Sequence, residues 1–393
     1  MMFAPKQAHG WTSAAADREG PPRMDVWSAD ACTVEDVRDY AAFLALEPEW
    51  NEAVDRAGIA HPFLRHEWVR TWWDAFGAGG QLYILVVRAA NRIVGIAPLM
   101  RESAQMYGLP VRRIRLLQND HTPRTDVIVT ERPADVYRAL WQALRNDHER
   151  WDVLQLSQLP RDSATRETLS ELAAADGCTT GIWQSGDSPY LTLTGTWDTY
   201  VNSLSAKFRS NLRNRTSRLT RLGEPVLEVL RDAHAIRAAS DDAWRLEASG
   251  WKSDAGTAIT SDPAVHRFYT TLIDRATERG WLRLLFLTVG GRRIATSYGA
   301  VFHNRLFLFK TGYDPEYATC SPFKILTSLA IRHAYEEGLE EVDFLGDSEP
   351  WKLEWTTTAR GQDWLFVFSD TRRARLLHSI KFEWVPELKR WRA

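Results

Sequence analysis

Four stretches of the chain hold residue types that could do chemistry. In the first, an apolar strand running into Asp343 is followed by Gly346-Asp347, and Lys352 stands between Trp351 and Trp355. A lysine among aromatic side chains can steady a developing oxyanion or hold a substrate carboxylate. Asp347 can orient an amine or accept its proton. The same residues also make a plain turn, with Asp347 capping amides and Lys352 paired to Glu349 or Glu354, and spacing alone favours that reading.

The second stretch, Leu306 to Lys324, reads as a strand, a loop and a helix. Ser321 suits an N-cap and Pro322 the first helical position. Free amides at such a start, with the helix dipole, form an anion site able to take a pyrophosphate. The third stretch, Ser205 to Arg221, holds six basic residues and no acid. As a helix it turns Phe208, Leu212 and Leu219 inward and spreads Lys207, Arg209, Arg213 and Arg218 over the rest. These suit phosphates of a nucleotide, a lipid carrier or RNA; the alternative is a solvated face beside an acidic neighbour. The fourth, Asn119 to Asp126, follows an apolar strand and includes His121 and Arg124. Loops on a rigid scaffold often hold ligands, though polar loops are also simply polar. No HExxH, GxSxG, Walker A or strand-following GxGxxG occurs, and His61 and His66 are too loosely placed for a metal.

The elements that must position these residues come as a repeat. Ile84-Leu85-Val86-Val87, a turn at Ala89-Ala90-Asn91, then Arg92-Ile93-Val94 corresponds to Leu285-Phe286-Leu287-Thr288, Gly290-Gly291, then Arg293-Ile294-Ala295. Both read as tight hairpins. An amphipathic helix precedes each, His66 to Phe76 and Val265 to Arg279. Downstream, a helix at Ala134 to Arg145 and a strand at Trp151 to Leu156 match a helix at Pro322 to Glu337 and a strand at Glu341 to Leu345. A repeat this long means duplicated domains. The boundary is expected near Gly186 to Gly195, and Thr196 to Leu222 opens the second unit as one or two helices. The expected division is a loose tail over 1–30, a first domain over 31–190, a second over 191–370 with the donor site, and a basic tail over 371–393. That last tail reads as a helix packed on its own domain; docking on an anionic membrane is the other reading, and Pro386 would interrupt a long membrane-lying helix.

Composition sets the bounds. At 393 residues with 44% hydrophobic and 25% charged, the chain is an ordinary globular protein. Lys plus Arg is 49 against 51 Asp plus Glu, a net charge of −2, which excludes a globally basic nucleic-acid binder and leaves no case for DNA. The 18 tryptophans read first as packing residues. Cys32, Cys178 and Cys320 are far apart and odd in number, which fits a reducing, cytoplasmic compartment without disulfide or zinc. No apolar run is long enough to span a bilayer, and 1–23 lacks the apolar core of a secretory signal.

In order, His61-Pro62-Phe63 to Trp72-Trp73, Ile93 to Leu99, the Asn119 to Asp126 loop, Lys207 to Arg213, Tyr313-Asp314-Pro315-Glu316-Tyr317, Ser321-Pro322, Gly346-Asp347, Trp351-Lys352 and Trp355 resemble the Fem/CelD-type branch of the GNAT acyltransferase superfamily. The resemblance runs from about Asp55 to Asp370. It implies an α/β protein of two tandem GNAT-like domains, each a central mixed sheet flanked by helices. It implies transfer of an acyl group from acyl-CoA, the expected co-substrate, to an amine or hydroxyl of a cell-envelope or exopolysaccharide precursor, with no metal. In that reading Lys352 and Asp347 are catalytic and Tyr313, Ser321 and Lys324 bind the donor. Lys207, Arg209, Arg213, His121 and Arg124 hold substrate or phosphate groups. The acceptor is a small-molecule or lipid-linked saccharide, at the inner face of the membrane if lipid-linked. Two departures from the family stand out. Phe323 replaces the usual glycine after Ser-Pro and crowds a pyrophosphate; Trp351 replaces a tyrosine and loses its hydroxyl. An aminoacyl-tRNA donor, with the basic helix on RNA phosphates, is the second reading, and a non-catalytic assembly protein is the third.

Overall fold

The computed structural model describes residues 32–147, 150–249, 256, 258–385 and 387. The expected tail 1–30, Pro386 and the last residues of the basic tail lie outside them. The first unit runs β1 (Thr33–Val37), α1 (Tyr40–Ala45), α2 (Glu47–Arg56), α3 (His66–Phe76), β2 (Gln81–Ala89), β3 (Arg92–Met106), β4 (Leu109–Leu116), β5 (Ile128–Val129), α4 (Pro133–Asn146), β6 (Val153–Pro160), α5 (Ala164–Ala175) and β7 (Thr179–Thr192). The second runs α6 (Trp197–Ser203), α7 (Ala206–Thr220), β8 (Pro225–Leu230), α8 (Ala233–Glu247), α9 (Pro263–Glu278), β9 (Leu282–Val289), β10 (Arg292–Phe302), β11 (Arg305–Tyr313), α10 (Pro322–Glu336), β12 (Glu341–Asp343), α11 (Pro350–Leu353), β13 (Ala359–Phe368) and α12 (Arg372–Ser379).

The duplication is written in the turns. The β2–β3 hairpin turns at Ala90 and Asn91, and the β9–β10 hairpin at Gly290 and Gly291; all four have positive φ. Two central residues at positive φ make the turn whose twist matches that of the paired strands. The next hairpins repeat the device, at Tyr107 and Gly108 and at His303 and Asn304. Each unit's next helix, α4 or α10, starts from a left-handed residue followed by proline. Arg132 has φ 51° and ψ 50°, and Ser321 has φ 50° and ψ 60°.

The strands form one sheet in the order β1-β2-β3-β4-β6-β13-β7-β12-β11-β10-β9-β8, with β5 beside β3. Strand β7 joins the halves. Its first part pairs β13 from Thr179 to Pro189, and its end pairs β12 through Tyr190 to Thr192. Strand β13, expected with the second unit, is instead inserted between β6 and β7 of the first. The helical layers of the two units also share a core. Trp68 of α3 packs edge-on to Phe268 of α9 at 5.5 Å, and Arg275 reaches Asp74 at 2.7 Å. The basic C-terminal stretch folds as α12, which buries Ala374 and Leu377 against Phe366 and Phe368 of β13. No described helix is long and apolar enough to cross a membrane.

Candidate functional site

The site is set by where two parallel strands part. Strand β11 pairs β12 only over Arg305 to Phe307 with Glu341 to Asp343. A bulge then places Phe309 as an extra residue between Leu308 and Lys310, opposite Tyr298 and Gly299 of β10. A bulge bends its strand and sharpens its twist, and β11 continues to Tyr313 with no partner on its β12 side. Beyond Asp343, the chain turns the other way, and the Phe344 amide donates to Pro189 O at 3.1 Å. The wedge between them opens into a cavity of about 530 Å³. Leu308 to Tyr313, Phe344 to Gly346, Phe323, Trp351 and Lys352 line it, with Glu247 and Tyr269 from the helical layer and Asp120, His121 and Pro123 from the first unit.

The first unit has the matching strands but no open wedge. Strands β4 and β6 pair only over Arg113 to Arg115 with Val153 to Gln155. The loop after β4 then folds back, and Thr125 bonds Gln158 O and Ser157 O through its amide and hydroxyl at 3.1 and 2.6 Å. That loop is pinned further by Trp68 Nε1 to Thr122 at 3.0 Å and Gln362 to Pro123 O at 2.7 Å. It closes one wedge and walls the other.

Lys352 is 5% exposed and lies on the cavity wall. Its ammonium donates to Leu345 O at 2.7 Å and Asp347 O at 2.9 Å, and pairs with Glu349 at 3.0 Å. All three donors are used. Two go to fixed carbonyls, and the third to the Glu349 carboxylate, whose side chain is 54% exposed and also accepts the Trp351 indole N–H at 3.0 Å. The carbonyls are presented by a turn in which Leu345 (φ 54°) and Gly346 (φ 59°) are both left-handed. Leu345 is unusual there, and Asp343 holds it by accepting its amide at 3.0 Å.

The structure brings together some of the residues expected from sequence and separates others. Tyr313, His121 and Lys352 line the cavity, whereas Asp347 does not: it is exposed, with its carboxylate against Gly186 of β7, so only its carbonyl serves the lysine. Arg124 is buried, lies outside the cavity lining and bonds Asp343 at 2.9 Å. Lys324 is paired with Glu354 and sits over the Phe208 ring. The Ser321 hydroxyl does not cap its helix. Lys207, Arg209 and Arg213 lie on α7, outside the cavity lining, and Arg209 bonds Asn202 at 3.0 Å. Phe323 lines the cavity and packs edge-on to Trp351 at 4.7 Å, so both departures from the family pattern meet in one aromatic wall.

Glu247, Tyr269 and Lys310 were not anticipated as site residues. Glu247 ends a helix of ordinary composition and is buried, accepting the Ile259 amide at 2.9 Å. Nothing local in the sequence marks it. His121 stacks on Phe76 at 5.6 Å, and its Nδ1 lies 3.3 Å from the Tyr269 hydroxyl. Burial, and then the positive charge of Lys310, push its pKa down to about 4, so the imidazole is neutral at neutral pH.

Residues 206–353 match the acetyltransferase (GNAT) domain model. Among solved structures, FemX is similar at 12% identity over 84% of this chain and 96% of that one, with a TM-score of 0.55. A conserved protein of unknown function from Bacteroides thetaiotaomicron VPI-5482 is similar at 11% identity over 86% and 100%, with a TM-score of 0.53. No curated protein matches in sequence. The domain match is confined to the second unit, and the likeness to FemX is one of fold.

Proposed function

We propose that the chain moves an acyl group from acyl-CoA to an amine or hydroxyl of a cell-envelope or polysaccharide precursor. The observation that carries this reading is the open β11–β12 wedge, with the Lys352 ammonium on its wall. A thioester is already activated, so transfer needs positioning and electrostatics more than a covalent intermediate. The acceptor nitrogen or oxygen bonds to the acyl carbon, the carbon–sulfur bond breaks and the CoA thiol leaves. As the tetrahedral oxyanion forms, it replaces Glu349 on the third donor of Lys352 while the two carbonyls keep the ammonium in place.

The donor enters past Tyr313 and Phe323. At the start of α10, the Ser321 hydroxyl and the Phe323 amide have no partner among the described residues, so these two are available to a donor phosphate. Pro322 has no amide hydrogen to offer, and the Lys324 amide is already used on Ser321 O at 3.0 Å. The phosphate grip is therefore sparse. Asp120, His121 and Glu247 form the opposite, acceptor-facing side.

Thermal unfolding with a panel of acyl-CoAs, free CoA and nucleotide sugars tests the reading. A ligand of the folded state raises Tm with its concentration. A dose-dependent rise with one acyl-CoA, followed by acylation of an amino sugar, is the expected result. A well-folded protein that no CoA stabilises would sink the CoA donor and favour aminoacyl-tRNA.

A further inference from the structure

We infer that the outer face of α7 is a docking surface for an anionic lipid bilayer, beside the mouth of the cavity. The helix is 15 residues long, about 22 Å at 1.5 Å per residue. Ser205 caps it by accepting the Phe208 amide at 3.2 Å. Phe208 and Leu219 are buried and Leu212 partly so, which fixes the inner face. The exposed positions hold Lys, Arg, Ser, Asn or Thr, apart from Ala206.

Charge sets this face apart. Lys207, Arg213, Arg218 and Arg221 are exposed and Arg209 and Arg215 half-buried, and none of the six forms an ion pair with a described carboxylate. Many surface arginines elsewhere are matched, as Arg88 is by Glu35 and Glu49 and Arg293 by Glu228 and Asp242, whereas α7 gathers its cations on one element without a carboxylate. In a chain of net charge −2, six unmatched cations on one helix are a local positive field. Four to eight such charges on one helix is the pattern of acidic-lipid recognition.

Shape and apolar content favour a bilayer over RNA. The cations spread around a convex helix rather than lining a groove, and no aromatic side chain stands among them for bases to stack on. Leu222, just after the last arginine, is 61% exposed, and Val226 is 51% exposed. Apolar side chains beside a basic helix are what an interfacial anchor inserts below the headgroups. Glu224, between them, is the nearest acid in the chain. The inner side of α7 packs on residues 315–320 and on α10, whose Phe323 lines the cavity. A bilayer on the outer face would bring a membrane-borne acceptor to that mouth.

The test is co-sedimentation of the full chain with vesicles of phosphatidylcholine alone, or with about one quarter phosphatidylglycerol, at low and high salt. Binding is expected to the anionic vesicles alone and to be lost at about 0.5 M salt, where exposed charges are screened. The Arg218→Glu/Arg221→Glu double variant is expected to weaken binding at least tenfold, and Leu222→Asp to weaken it without changing the salt dependence. Equal pelleting with both vesicles would overturn the proposal. So would the double variant binding as wild type, or a single-stranded RNA binding at the same salt where vesicles do not. Lipid binding is read without any acyl acceptor, so this surface and the transfer reaction stand or fall separately.

Discussion

Arg124 and Asp343 lie 219 residues apart and meet at 2.9 Å, both buried. Their contact passes a positional constraint from the first unit to the second unit's site. Asp343 takes the Arg124 guanidinium on one oxygen and the Leu345 amide on the other, and Leu345 O takes the Lys352 ammonium. Arg124→Ala leaves the buried carboxylate with the Leu345 amide and, for a cation, the longer contact to Arg360 at 3.3 Å. Removing one partner of a buried pair costs about 3–5 kcal/mol. Urea denaturation should show a loss of that order, and turnover should fall with it because the turn that holds Lys352 loosens.

Lys352→Ala is expected to lower kcat about 100-fold, the scale seen when one oxyanion donor is removed. Asp347→Ala should stay within about threefold of wild type, because only its carbonyl contributes. Steady-state kinetics of the two variants side by side decide the assignment. A collapse in Asp347→Ala with Lys352→Ala intact would reverse it.

Phe323→Ala removes an aromatic wall where the family pattern has glycine. The edge-on contact with Trp351 goes with it, at about 1 kcal/mol, so Tm of the free protein should drop slightly. The space gained lies at the start of α10. The Tm rise with a given concentration of acyl-CoA should therefore be larger than in wild type. A smaller rise would mean that Phe323 holds the donor rather than obstructing it.

His121 sets a pH dependence whose sign is fixed. In the unfolded chain an imidazole protonates near 6.5, while here it does so only at about 4. Between those values the unfolded state binds more protons, so His121 lowers stability as pH falls through that window. His121→Phe keeps the stack on Phe76 and removes the titration. Denaturation midpoints at pH 7 and pH 5 should lie closer together in the variant than in wild type.

Local pattern carried much of this fold. The helices at His66 to Phe76, Ala134 to Arg145 and Val265 to Arg279 follow from apolar spacing, and the one at Pro322 from its proline start; Pro133 and Pro263, which open two of them in the structure, were passed over. The hairpins follow from two turn residues each. In the site, Lys352, His121 and Tyr313 were visible because they sit in dense polar or aromatic runs. Pairings between distant segments were not visible. Nothing near Arg124 says that its partner is Asp343, and nothing near Glu247 says that a strand 60 residues on will form a wall beside it. The exposed Asp347 reads the same in sequence as a carboxylate aimed inward.

The insertion of β13 between β6 and β7 has a consequence for biosynthesis. An inner strand of the first unit is synthesised only after α6 to α11 of the second. The N-terminal half can collapse during translation, but its sheet keeps two unpaired inner edges until β13 has been made. Those edges are the surfaces on which nascent chains associate wrongly. A truncation after residue 353, at the end of the matched acetyltransferase domain, would strand the first unit rather than liberate the second. The two copies that duplication produced have become a single inheritance, and a fragment carrying one of them should be recovered mainly as aggregate.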